Sequence, residues 1–200
     1  LNNDYSGAPL VLAEVVEGLR DRGYKIDLHT TGGKGKGFLS DIKDVDAHYF
    51  RLKWRQCKRF GVVFLFLFQF VFFFRLLAYW RKDVVFYVNT LWPFAAGLAG
   101  RFMGKKVIYH LHETSVKPLW LKRFLFKVLD KSASDVIYVS NYLKQKDPVK
   151  QTTPHVIYNT LAPDFTEFIK PVDKGDAFRV VMLCSLNEYK GILEFVQLAA

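Results

Sequence analysis

Hydrophobic residues recur along this chain with two alternating periods. Over residues 8–22 the apolar positions Leu12, Val15, Val16 and Leu19 fall at helical spacing, with Ser6 placed to cap the helix and Pro9 in its first turn. Gly23 stops that helix, and residues 24–30 then alternate apolar and polar as a strand does. Residues 45–52 form a second strand-like run. Three short β-branched runs, 84–88, 106–111 and 135–139, suit inner strands of a parallel sheet that are covered on both faces. Helical patterns over 93–103, closed by Gly104, and over 119–131 separate them, and residues 155–159 add a further strand. This βαβα rhythm predicts an α/β fold with a Rossmann-like doubly wound parallel sheet.

The pattern then breaks. Residues 162–177 hold Pro163, Pro171 and Gly175 among charged residues with no periodicity, as expected of a connection between domains. A buried-type strand over 178–184 restarts the rhythm, and residues 192–200 read as an amphipathic helix that stops in mid-course. The expected organisation is a first Rossmann-like domain over 1–165, a linker over 166–177 and the start of a second Rossmann-like domain over 178–200. On this reading the chain is a fragment.

Residues 61–74 are almost wholly apolar and rich in Phe. Counted to Arg75 they make fourteen residues, about 21 Å of helix, against about 30 Å of bilayer hydrocarbon, so the run is not expected to span. Directly before it stand Arg51, Lys53, Arg55, Lys58 and Arg59 with Trp54 between them, which is how a surface-seeking segment is built. Two readings stay open: a helix buried against the sheet, or contact with an anionic membrane surface.

Composition narrows the partners. With 19 Phe and 10 Tyr in 200 residues the chain is not disordered, and a net charge of +10 calls for an anionic partner: nucleic acid, an anionic membrane or a phosphorylated substrate. No nucleic-acid-binding motif accompanies the charge, which disfavours the first. Cys57 and Cys184 lie far apart without a metal-site or disulfide spacing, and no secretory signal opens the chain, so a reducing cytoplasm is the expected setting.

Five motifs carry candidate chemistry. Ser6-Gly7-Ala8-Pro9 precedes a helix, where a glycine lets backbone N–H groups approach a phosphate. Tyr109-His110-Leu111-His112-Glu113 closes a strand, and in an open α/β sheet ligands sit beyond such strand ends. Residues 132–144 run Ser-Ala-Ser-Asp-Val-Ile-Tyr-Val-Ser-Asn-Tyr-Leu-Lys, a strand and the helix after it. Val156-Ile157-Tyr158-Asn159 and residues 181–191, which end Glu188-Tyr189-Lys190-Gly191, complete the set. The run Gly32-Gly33-Lys34-Gly35-Lys36-Gly37 lacks the spacing of a nucleotide-triphosphate loop and reads as a flexible basic loop at the crevice edge.

In this order the five motifs resemble glycosyltransferase family 4 over nearly the whole chain. The resemblance implies a GT-B architecture and transfer of a sugar from a nucleoside-diphosphate sugar to an acceptor hydroxyl, with no metal or other cofactor and with retained anomeric configuration. It places His112 beside the transferred sugar, Gly7 and Lys190 near the diphosphate, and Asn159 and Ser185 at family ligand positions. Thr160 stands where the family has glycine, and Ser185 where it has arginine. Tyr5, Ser6, Glu113 and Trp54 would face the crevice or the acceptor, a glycan or lipid-linked molecule. The family's paired glutamates would lie past Ala200, so the fragment alone is expected to be inactive. Two rivals remain: a sugar-nucleotide epimerase of the same fold, and, from another class, a basic nucleic-acid- or membrane-binding module.

Overall fold

The computed structural model describes residues 3–32, 35, 37–40, 42–50, 61–113, 115–160, 180–184 and 190–199. The chain divides into two compact units, residues 1–160 and 161–200. In the first, the order is α1 (Gly7–Asp21), β1 (Asp27–Thr31), β2 (Asp46–Phe50), α2 (Gly61–Leu76), β3 (Val85–Asn89), α3 (Phe94–Phe102), β4 (Lys106–Leu111), α4 (Leu119–Ser132), β5 (Asp135–Tyr138), α5 (Asn141–Lys146) and β6 (Thr153–Val156). β1 and β2 pair in parallel, and β3, β4, β5 and β6 form a second parallel sheet in that order. The architecture is the Rossmann-like α/β fold that the alternating periods predict.

Two apolar clusters hold this unit. One buries Leu12, Ala13 and Val16 of α1 against Leu28 and Leu39, with Tyr87 at its margin. The other lies between the four-stranded sheet and α2, α3 and α4. Helix α3 lies very close to the sheet because its inner face is small: a Cβ on Gly100 would come within 2.6 Å of Val107 Cγ2 and 3.1 Å of Phe86 Cγ, and one on Gly97 would overlap the Tyr109 ring.

Element ends differ from the sequence reading for local reasons. β1 starts at Asp27, because Tyr24 N still donates to Leu19 O (3.2 Å) and Gly23, at φ 85°, completes the close of α1. β6 stops at Val156, so Asn159 lies past the strand. α5 has only six residues, too few to show a period, and is capped by Ser140 Oγ, which accepts from Leu143 N at 3.2 Å.

The largest difference concerns α2. Arg75 does not end the helix; its guanidinium lies 4.9 Å from the centre of the Phe50 ring. The helix continues to Leu76 and through a 3-10 turn at Leu77–Tyr79, giving nineteen residues that are long and apolar enough to cross a bilayer. Length therefore does not exclude a span. Packing ties the helix to the fold instead: Leu65, Gln69, Phe72 and Leu76 are buried, and Gln69 Oε1 accepts from Ala95 N of α3 at 2.9 Å.

In the second unit α6 (Ile192–Ala199) follows Gly191, whose φ is 78°. Of the strand expected over 178–184, residues 180–184 pair with no described strand, and 178–179 lie outside the described residues, as does the 166–177 linker.

The glycines give a paired test. Gly97→Ala lowers the unfolding free energy by about 1–3 kcal/mol, since overlap with Tyr109 outweighs the gain in helix propensity. Gly18→Ala raises it by about 0.5–1 kcal/mol, because the new Cβ meets only the flexible end of Arg22 at 3.3 Å. Urea unfolding of both variants reads the two signs.

Candidate active site

β3 and β4 run side by side and finish at the same edge, with Asn89 opposite His110. Polar side chains collect there. Asn89 is buried; its Oδ1 lies 2.8 Å from His112 Nε2, and its Nδ2 donates to Ala8 O at 3.2 Å. The second bond fixes the first. With the amide nitrogen turned to the Ala8 carbonyl, only the oxygen faces the ring, so His112 carries its proton on Nε2 and Nδ1 is the basic nitrogen. One carboxamide thus joins β3, the loop after β4 and the first turn of α1.

That first turn has no side-chain cap. Ser6 precedes the helix, and both its N–H (3.0 Å) and its hydroxyl donate to Asp4 Oδ1. Helix geometry leaves the Gly7 and Ala8 amides without intrahelical acceptors, while Pro9 has no N–H, so the turn offers two donors at the positive end of the helix dipole. A side chain at Gly7 would meet nothing within 4 Å, so packing does not demand glycine there. Tyr5 is exposed and sets its ring edge-on to Phe38 at 5.2 Å. Upstream, Asn3 N donates to Thr31 O at 2.7 Å, which ties this loop to β1 as Ala8 ties it to β3.

Glu113 is a brace between loops. Its Oε1 accepts from Leu91 N at 3.0 Å and its Oε2 from His112 N at 3.3 Å. Burial pushes its carboxyl above the usual carboxylate range, and the amides of Leu91 and His112 work against that rise. Between the braced loops Thr90 sits at φ 76°, left-handed backbone that a β-branched residue rarely adopts, held by its N–H to His110 O at 2.8 Å.

Two histidines lie side by side at this edge. Tyr87 Oη lies 2.7 Å from His110 Nδ1, and the ring centres of His110 and His112 are 4.2 Å apart. Burial lowers His112 from 6.5 to about 4 and His110 likewise to about 4, the latter also repelled by His112. Burial raises the Tyr87 phenol, which therefore stays protonated and donates to His110. At neutral pH both rings are uncharged.

The sequence candidates are thus partly assembled. His112, Gly7, Ser6 and Glu113 share one neighbourhood, linked through Asn89 and Ala8. Asn159 is exposed beyond β6, and Lys190 stands immediately before Gly191 in the second unit. Ser185 and Trp54 lie outside the described residues. Asn89, His110 and Tyr87 were missed, although a polar residue ending an apolar run, Val88-Asn89-Thr90, was the available signal.

A parallel sheet with polar groups gathered past its strand ends places the chain in the Rossmann-like α/β class. The chain belongs to glycosyltransferase family 4: the model of that family matches residues 5–165. No curated protein and no solved structure matches the chain.

The site sets a pH dependence. His29, His110 and His112 fall from 6.5 to about 4 on folding, His29 through burial first and then His48. Between those values the unfolded chain binds more protons than the folded one, so stability rises with pH from 4 to 6.5 and levels off above. Glu113, whose pKa is raised, acts in the opposite sense, while the three imidazoles act together. Melting temperatures taken across this range show the trend. Glu113→Ala leaves the buried Leu91 amide without its acceptor and costs about 1–3 kcal/mol, whereas Glu113→Gln, which keeps one carbonyl oxygen, costs less.

Proposed function

We propose that this protein transfers a sugar from a nucleoside-diphosphate sugar to a hydroxyl of a glycan or lipid-linked acceptor, with retention at the anomeric carbon. Membership of a glycosyltransferase family supports the reaction class. The observation that carries the site assignment is the Asn89 carboxamide, which sets His112 beside the α1 first turn through bonds of 2.8 and 3.2 Å.

In this reaction the bond from the anomeric carbon to the phosphate oxygen breaks, the acceptor oxygen bonds to that carbon, and the acceptor's proton passes to the departing diphosphate. Negative charge grows on the leaving group, and fixed donors there lower the barrier most. The Gly7 and Ala8 amides are suited to that task. Lys190 takes its part from the family resemblance alone. His112 has a different role. A ring that titrates near 4 is uncharged and weakly basic at neutral pH, so it serves as a hydrogen-bond acceptor for a sugar hydroxyl rather than as a proton shuttle.

The cytoplasmic setting of this reading rests on Cys57 and Cys184, which have no disulfide spacing, and on a donor class that is phosphorylated and anionic.

Assays of the full-length polypeptide against a panel of uridine- and guanosine-diphosphate sugars test the proposal. A donor present at 100 times its Kd stabilises the protein by about 2.7 kcal/mol in thermal melts and supports sugar transfer or slow hydrolysis. His112→Ala keeps that protection and lowers kcat about 10- to 100-fold. The pH profile of kcat shows no inflection near 6.5 attributable to His112. Absence of both protection and turnover with every donor would defeat the reading, and release of an epimerised nucleotide sugar in place of transfer would favour the epimerase.

A further inference from the structure

Helix α2 has two faces that differ in every respect except apolarity. Leu65, Gln69, Phe72 and Leu76 are buried. Val63, Leu67, Phe70 and Phe74 repeat the same spacing two residues earlier, about 200° around the helix, and each keeps more than half of its surface exposed. The exposed stripe does not stop with the helix. Phe70 meets Phe74 at 4.9 Å, Phe74 meets Phe73 at 5.5 Å, Phe73 meets Phe102 of α3 at 5.9 Å, and Phe102 meets Trp80 at 5.3 Å. Phe102 and Trp80 are themselves more than half exposed. An aromatic surface this continuous is more than scattered exposure, and such patches mark interaction sites.

Charge identifies the occupant. Residues 61–129 contain ten Lys and Arg against only Asp83 and Glu113; Lys106 pairs with Asp135 and Lys122 with Asp147, while Glu113 is turned inward onto two backbone amides. Arg81 and Arg101, next to Trp80 and Phe102, are exposed. An apolar face with an indole at one end and cations at its margin fits the boundary between acyl chains and anionic head groups. Only 22 % of the apolar segment is buried, yet its inner face carries the Gln69–Ala95 hydrogen bond and core packing that a transmembrane orientation would strip away.

We infer that α2, with the end of α3 and Trp80, is a docking surface for an anionic lipid bilayer, on which the helix lies in the plane of the interface. This docking stands whether or not the transfer reaction does. α2 and α3 run in the same direction, since Phe66 meets Phe94 (5.5 Å) and Phe73 meets Phe102 (5.9 Å). The start of the apolar face therefore lies at the end of the unit where β3 delivers Asn89.

Flotation of the full chain with vesicles tests the inference, comparing phosphatidylcholine alone with equal parts phosphatidylcholine and phosphatidylglycerol. The protein floats with the anionic vesicles, high salt weakens binding, and Trp fluorescence shifts to the blue. Phe70→Ser with Phe74→Ser lowers partitioning at least about tenfold. Both side chains are already exposed, so the melting temperature of the double variant stays near that of the parent. Equal recovery on neutral and anionic vesicles would overturn the proposal, as would retention through high-salt and alkaline washes, which marks a span. A dimer that the double variant splits, with no vesicle binding by the parent, would assign the face to a second copy.

Discussion

The Asn89 carboxamide is the constraint on which the candidate site depends. Parallel pairing brings the carboxyl ends of β3 and β4 to one edge, but pairing alone does not orient a ring or place a helix. Asn89 does both, because its two ends are chemically different and each has one partner: the nitrogen holds the Ala8 carbonyl and the oxygen holds the His112 ring. Its burial keeps water from competing for either bond, which makes the arrangement stiff. The tautomer of His112 and the position of the α1 first turn follow from it. Glu113 adds a second brace by holding the Leu91 and His112 amides.

Much of the fold was legible because period is a local property. The β-branched runs at 84–88, 106–111 and 135–139 found their strands to within a residue or so, and Gly104 marked the end of α3. Where the reading slipped, a tertiary contact had intervened. Arg75 looked like a polar stop, yet a ring on β2 takes its guanidinium and the helix runs on. β1 loses its first residues to the close of α1, and α5 is too short for periodicity to reveal.

The site was legible only where chemistry marked it. His112 and Glu113 stand out as an ionisable pair after an apolar run, and Gly7 as a glycine before a helix. Asn89 carries no such mark, since an asparagine ending a strand is unremarkable until the fold shows what lies on either side of it. The role of Glu113 was also hidden: sequence puts it beside His112, but only the turn at Thr90, with its left-handed backbone, brings the Leu91 amide within its reach. The buried-helix reading of the Phe-rich segment describes only one face of α2, because a count of apolar residues does not separate a face packed on α3 from one left outside.

The His112 ring itself offers the most direct measurement. A long-range proton–nitrogen correlation spectrum at neutral pH, recorded with and without a nucleoside-diphosphate sugar, reports which nitrogen holds the proton and whether a ligand reaches the ring. The account predicts a neutral ring protonated on Nε2, with the Nδ1 resonance moving as donor is added. A ring protonated on Nδ1, or one whose spectrum ignores every donor, would contradict it.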